Sequence, residues 1–274
     1  MTFGSLFSGI GGFDLGFERA GMTCKWQVEI DPYASQVLAK HWPDVPRYKD
    51  VKKFCRRLYD CDIEDENGEC LCLRCNTDFG ECECVGTDQV IDECGAVDVI
   101  CGGFPCQDIS NAGKMAGITG DRSGLFFEVI RIARELGPKY IVLENVASLR
   151  GRGLGRVLGE LSEIGYAAEW HCIPASYAGA NHQRDRIWII AYANGIECEE
   201  QRWPSAIQEK QFTARRDSWW AVEPSVGRVA HGIPKRVDRL KCLGNSIVPQ
   251  VAEIVGRRVF QIERSLTPLL EAIK

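Results

Sequence analysis

Val97-Asp98-Val99-Ile100-Cys101-Gly102-Gly103-Phe104-Pro105-Cys106-Gln107 is the stretch on which the reading of this chain turns. Its first half is an apolar run that breaks into Gly-Gly, the pattern of a buried parallel strand opening into a loop. Loops at the carboxyl ends of such strands carry the ligand site in α/β proteins. A cysteine presented there, in a chain that also offers a glycine-rich cofactor loop, is a candidate nucleophile. The plainer reading is one more buried thiol, because free cysteine is among the most buried residue types. What surrounds Cys106 favours the nucleophile.

Outward from this strand, short apolar runs alternate with helical patterns. Helices are expected over residues 12–20, from Pro32 to His41, from Leu125 to Leu136 and from Leu154 to Ile164. Gly137-Pro138 and Gly165 stop the last two. A short strand closes at Val28-Glu29-Ile30, and a further helix runs from Pro249 to Arg264. Alternation of this kind implies an α/β chain, a parallel sheet with helices on both faces. Between the first strand and the first helix lies Phe7-Ser8-Gly9-Ile10-Gly11-Gly12. Gly9 and Gly11 let the backbone approach a ligand, and the helix start presents free N–H groups. Glu29, about 20 residues on, is placed to accept hydrogen bonds from both hydroxyls of a ribose. The same geometry binds dinucleotides. Hydride transfer, however, needs neither Cys106 nor Glu144, so the pair points to S-adenosylmethionine.

Four segments accompany Pro105-Cys106-Gln107. They are the glycine-rich loop, Glu144-Asn145-Val146, His182-Gln183-Arg184-Asp185-Arg186 and Gly244-Asn245-Ser246-Ile247. In this order they resemble the C5-cytosine DNA methyltransferase family, over most of residues 1–54, 95–193 and 242–258. The resemblance implies a Rossmann-like S-adenosylmethionine-dependent methyltransferase fold. It assigns methyl transfer to carbon 5 of a flipped-out cytosine in duplex DNA through a covalent Cys106 adduct. Glu144 would hold N3 and the exocyclic amine, Arg186 would meet O2, and Arg184 would support it or contact phosphate. Phe7 and Ile30 would sandwich the adenine, and Asp50 would meet its edge. Pro105, Asn245 and Ser246 would complete the cofactor pocket. The family pattern has Gln where this chain has His182, which can still donate a hydrogen bond. An RNA cytosine-C5 methyltransferase on the same fold, or a catalytically idle regulatory subunit, are the alternatives.

The net charge of −5 looks wrong for a nucleic-acid binder until its distribution is read. Residues 55–95 hold twelve acidic and three basic side chains, a net of −9. Residues 201–241 hold nine basic and four acidic ones, a net of +5. The first region is an acidic insertion and the second a basic lobe. The expected organisation is a catalytic domain over 1–193, interrupted by the insertion at 55–94. A target-recognition lobe over 194–241 and a returning segment over 242–274 follow. Arg215, Arg216, Trp219 and Trp220 in the lobe are candidates for phosphate contact and core packing. No stretch is apolar enough to span a bilayer, and no leader pattern opens the chain. The expected setting is a cytoplasmic monomer acting on DNA, with a restriction endonuclease of the same system as a further partner. Fourteen cysteines there should be mostly thiols or metal ligands. Cys72-x2-Cys75-x6-Cys82-x-Cys84 can wrap one tetrahedral zinc, with Cys61, Cys70 and Cys94 as alternative ligands.

Overall fold

The computed structural model describes residues 1–55, 95–105, 124–193 and 236–272. Its centre is a seven-stranded sheet with the order β3-β2-β1-β4-β5-β7-β6. The strands are β1 Thr2–Leu6, β2 Thr23–Val28, β3 Arg47–Tyr48, β4 Val99–Gly103, β5 Tyr140–Val146, β6 Tyr166–Ile173 and β7 Arg186–Ala193. Strands β1 to β5 pair in parallel. The helices are α1 Gly12–Ala20, α2 Pro32–His41, α3 Leu125–Leu136, α4 Leu149–Arg152, α5 Leu154–Glu163, α6 Arg236–Asn245 and α7 Pro249–Ala272.

The period-2 pattern of the strands explains the two layers. Ile141 and Leu143 of β5, with Ile187 and Ile189 of β7, join the apolar side chains of α3 and α5 in one core. Tyr140 and Val142, with Trp188 and Ile190, face the other way into a second core with Phe13, Phe17, Val251, Val255 and Val259 of α1 and α7. Helices therefore cover both faces, as expected, and the fold is Rossmann-like α/β.

The expectation of a parallel sheet fails at one place. β7 lies between β5 and β6 and is antiparallel to both. The crossover through α4 and α5 carries β6 one position past β5. Between β6 and β7 the chain has only a 3-10 turn at Ala175–Ala178. A parallel return is usually carried by a crossover helix, which this connection lacks, and the strand comes back antiparallel and fills the gap.

α1 and α7 approach closely. A Cβ added at Gly16 would lie 2.5 Å from the Ala252 Cβ and 2.5 Å from the Pro249 carbonyl oxygen. Two polar clusters tie α7 to the sheet edge. The buried Arg258 makes a paired contact to Glu169 of β6, both bonds 3.0 Å. Glu263 accepts from Tyr140 Oη at 2.7 Å and from Lys139 Nζ at 2.9 Å. α7 continues to Ala272, past the expected end at Arg264, and α6 runs across residue 241, where the lobe was expected to end. Among the described residues no helix is long and apolar enough to cross a membrane.

Candidate functional site

The parallel strands end on one edge of the sheet, and β7, running the other way, begins there. That single fact brings together residues far apart in sequence. β1 ends at Leu6, and Phe7 then takes a φ of +53°, uncommon for a side chain with a Cβ. Ser8 N–H donates to Val28 O at 3.1 Å, which ties the loop to the end of β2. Gly9 N–H donates to Glu29 Oε2 at 2.7 Å, and Asp31 N–H donates to Oε1 of the same carboxylate at 2.7 Å. Glu29 is therefore held between the glycine-rich loop and the start of α2. Each of its oxygens keeps a second acceptor direction. Gly9 and Gly11, at φ +57° and +86°, supply the left-handed turns the loop requires. Beside Glu29, Ile30 is 64% exposed, a large aliphatic face beside a polar cradle. Asp50 Oδ1 accepts from Lys52 N–H at 3.0 Å in the turn after β3.

The other half of the site is built on β4, β5 and β7. Glu144 pairs with Gly103 across β4–β5 and with Trp188 across β5–β7. It is buried, and its Oε1 lies 3.0 Å from Arg186 Nε. Burial pushes the Glu144 carboxyl up to about 7, against the opposing pull of Arg186 and Arg184. Gly103 lets this carboxylate come close, because a Cβ there would sit 3.1 Å from Glu144 Oε2 and press on it. Asn145 Nδ2 donates to Phe104 O at 3.3 Å, fixing the exit of β4 just before the half-buried Pro105.

The closing loop comes from the end of α6. Arg184 donates to Gly244 O at 3.0 Å and to Ser246 O at 2.7 Å. Ile247 sits between the two halves. Its carbonyl oxygen would be 2.5 Å from a Cβ at Gly12, and its Cδ1 3.3 Å from a Cβ at Gly103. Asn245 is exposed at the end of α6, beside the half-buried Ser246. On the cofactor side, Lys241 Nζ pairs with Asp31 Oδ2 at 2.8 Å and holds the Asp31 carboxyl below its ordinary range.

This edge, a glycine-rich loop with a ribose-type carboxylate next to a buried Glu–Arg pair, is matched by a family model, that of the C-5 cytosine-specific DNA methylases, over residues 1–73 and 62–232. The chain belongs to that family. The Bacillus subtilis type II methyltransferase M2.BsuMI is 33% identical over 195 residues, 68% of this chain and 41% of that protein. The type II methyltransferase M.AquIA of Picosynechococcus is 32% identical over 203 residues, 68% of this chain and 69% of its own length. M.HhaI of Haemophilus parahaemolyticus is 26% identical over 216 residues, 77% of this chain and 55% of its length. The chain thus spans about half the length of most curated relatives it matches. Among solved structures, S. pombe Dnmt2 methyltransferase superposes with a TM-score of 0.54 at 15% identity, over 80% of this chain and 58% of that one. At that identity the likeness shows the fold alone.

Of the site residues expected from the sequence, Phe7, Gly9, Gly11, Glu29, Ile30, Asp50, Pro105, Glu144, Arg184, Arg186, Asn245 and Ser246 lie among the described residues. Cys106, the zinc candidates Cys72, Cys75, Cys82 and Cys84, and the basic lobe up to residue 235 lie outside them. Among the described residues no group of His, Cys, Asp and Glu is arranged to hold a metal ion. Two residues had no role of their own in the sequence reading. Ile247 stood there only as the last residue of Gly244-Asn245-Ser246-Ile247. Asp31 was legible only as a helix cap before Pro32, and it caps α2 by accepting from Tyr33 and Ala34 N–H. Arg184, expected to support Arg186 or to contact phosphate, donates here to the closing loop.

Proposed function

We propose that the chain is a DNA cytosine-C5 methyltransferase that uses S-adenosylmethionine. The observation that carries the reading is the buried Glu144–Arg186 pair, beside the exit of β4 that leads into Cys106. The cofactor fits the neighbouring half of the site on three counts. The loop is opened by left-handed glycines, Glu29 keeps acceptor directions for ribose hydroxyls, and exposed Ile30 offers an apolar face to a purine. Phe7, Asp50, Pro105, Asn245 and Ser246 would complete the pocket. When bound, S-adenosylmethionine supplies the methyl group.

Carbon 5 of cytosine is a poor nucleophile. Addition of the Cys106 thiolate to carbon 6 makes carbon 5 enamine-like, which divides one hard step into two easier ones. Glu144 hydrogen-bonds N3 and the exocyclic amine. With its carboxyl at about 7 it exchanges a proton with N3 near neutral pH, where a general acid is most effective. Arg186 orients Glu144 through Nε and keeps guanidinium donors for the developing charge at O2. The base must first leave the duplex stack, at a cost of roughly a few kcal/mol.

The same proposal includes residues 1–193 as the catalytic domain, 194–241 as the recognition lobe, 242–274 as the returning segment, and a partner endonuclease. A structural zinc on cysteines of residues 61–94 belongs to it too, supported by their metal-type spacing along the chain.

The test is covalent trapping. Duplex DNA carrying 5-fluorocytosine should form a stable adduct with the wild-type chain and none with Cys106→Ser, while S-adenosylhomocysteine binds both. Methyl transfer assayed in parallel on duplex DNA and tRNA assigns the substrate. Robust turnover by Cys106→Ser, or transfer to tRNA alone, would overturn the reading.

A further inference from the structure

We infer that Arg184 is a positioning residue for the cofactor pocket, neither a phosphate contact nor a partner of the target base; this rests on the methyltransferase reading above. Both Arg184 bonds come from one terminal nitrogen, whose two hydrogens are taken up by Gly244 O and Ser246 O. These carbonyls lie at and just beyond the last turn of α6, where the helix dipole favours a cation. Arg184 also holds a φ of +40°, a conformation that is unfavourable for a residue with a Cβ and persists only where its surroundings fix it. The side chain is half-buried. Two of its five N–H donors are thus held by the loop at 244–246.

The loop has a specific seat. Ile247 is wedged between Gly12, at the start of α1 behind the cofactor loop, and Gly103, which also touches Glu144. Arg186, two residues along, holds Glu144. The Arg-x-Arg segment therefore divides its work. Arg186 serves the base-side carboxylate, and Arg184 fastens the wall that closes the cofactor side. Loss of Arg184 frees the wall at one end, leaving the exposed Lys241–Asp31 pair as the remaining polar tie of this segment to the cofactor side among the described residues.

Three measurements test this. First, calorimetry with S-adenosylhomocysteine on the full chain: Arg184→Met should weaken binding by about tenfold, as expected for lost charge-assisted bonds to the closing loop. Arg184→Lys, which keeps the charge but not the fork, should recover part of it. Second, steady-state rates: the Arg184→Met defect should be overcome by saturating cofactor, whereas Arg186→Met should stay slow at every cofactor concentration and bind S-adenosylhomocysteine normally. Third, the salt dependence of binding to a short duplex should keep its slope in Arg184→Met, because a lost phosphate contact would lower that slope by about 0.9. Wild-type affinity for S-adenosylhomocysteine in Arg184→Met, or a reduced salt slope, overturns the assignment. If Arg184→Met does not fold, Arg184→Gln, neutral but still able to donate, decides on the same readouts. Failure of the wild-type chain to bind S-adenosylhomocysteine sinks the methyltransferase reading itself, a separate and recognisable result.

Discussion

Glu144 shows how one side chain acquires a function from its surroundings. In water its carboxyl would be ionised at neutral pH; buried at the end of β5 it is raised to about 7 in spite of two nearby arginines. Glu144→Gln keeps the shape and removes the transferable proton. Turnover should fall on the order of a hundredfold or more, with duplex binding largely kept, in a single-turnover assay. Asp14 is a second buried carboxyl, away from the chemistry. It accepts from Ser5 Oγ at 3.1 Å and Gln27 Nε2 at 2.8 Å, and burial lifts it from 3.8 to about 6. The folded state then binds a proton more tightly than the unfolded chain, so its contribution is fully present below about pH 4 and is lost as pH rises through about 6. Asp14→Asn, neutral throughout, should be more stable than wild type at pH 8 by on the order of 2 kcal/mol, and equal to it at pH 3.5. Thermal melts at the two pH values would decide it. Glu29 was legible at the end of a short strand, whereas Glu144 and Arg186 were named by the resemblance to the family. Asp14 was not, because an acidic residue in the first turn of a helix normally reads as a solvated one.

The helices and parallel strands follow the sequence pattern closely where start and stop residues are explicit. α2 and α3 occupy the expected residues, opened by Asp31-Pro32 and stopped by Gly137-Pro138. β7 escaped in direction, because an apolar run carries no sign of whether it runs up or down. α6 escaped altogether, because its exposed apolar side chains and charges have no clear period. Gly16 is the element-scale feature that invites substitution and resists it. Alanine there would gain about 1 kcal/mol of helix propensity. It would also drive a methyl group to 2.5 Å from the Pro249 carbonyl and 2.9 Å from Glu253 N, backbone atoms that cannot step aside. Overpacking costs of about 1–3 kcal/mol should win. Gly16→Ala is therefore expected to lower the denaturant midpoint, and a raised midpoint would show that α7 shifts freely on α1.

At the scale of the whole molecule, the acidic insertion and the basic lobe give the chain its charge asymmetry, and the proposed zinc belongs to the insertion. Residues 61–94 are poor in large apolar side chains, so metal would supply their folding free energy. Purified protein should contain about one zinc per chain, and chelation should open residues 61–94 to protease while 1–54 and 95–193 stay resistant. Metal-free protein with a protease-resistant insertion would exclude the site. The sequence showed the insertion through composition, but which cysteines meet depends on loop geometry that spacing alone does not fix.

The packing of α7 on α1 has a consequence in time. One face of β1 and the apolar side of α1 are made first, yet their cover comes from Val251, Val255, Val259 and Ile262 of α7. At ordinary synthesis rates of about 5–20 residues per second, the nascent face waits roughly 10–50 s for its partner. During that interval the wall at Ile247 does not exist either, so a half-made chain has no closed cofactor pocket. On the methyltransferase reading proposed above, the chain stays inactive on the ribosome until the stretch that seals its first-made layer has emerged.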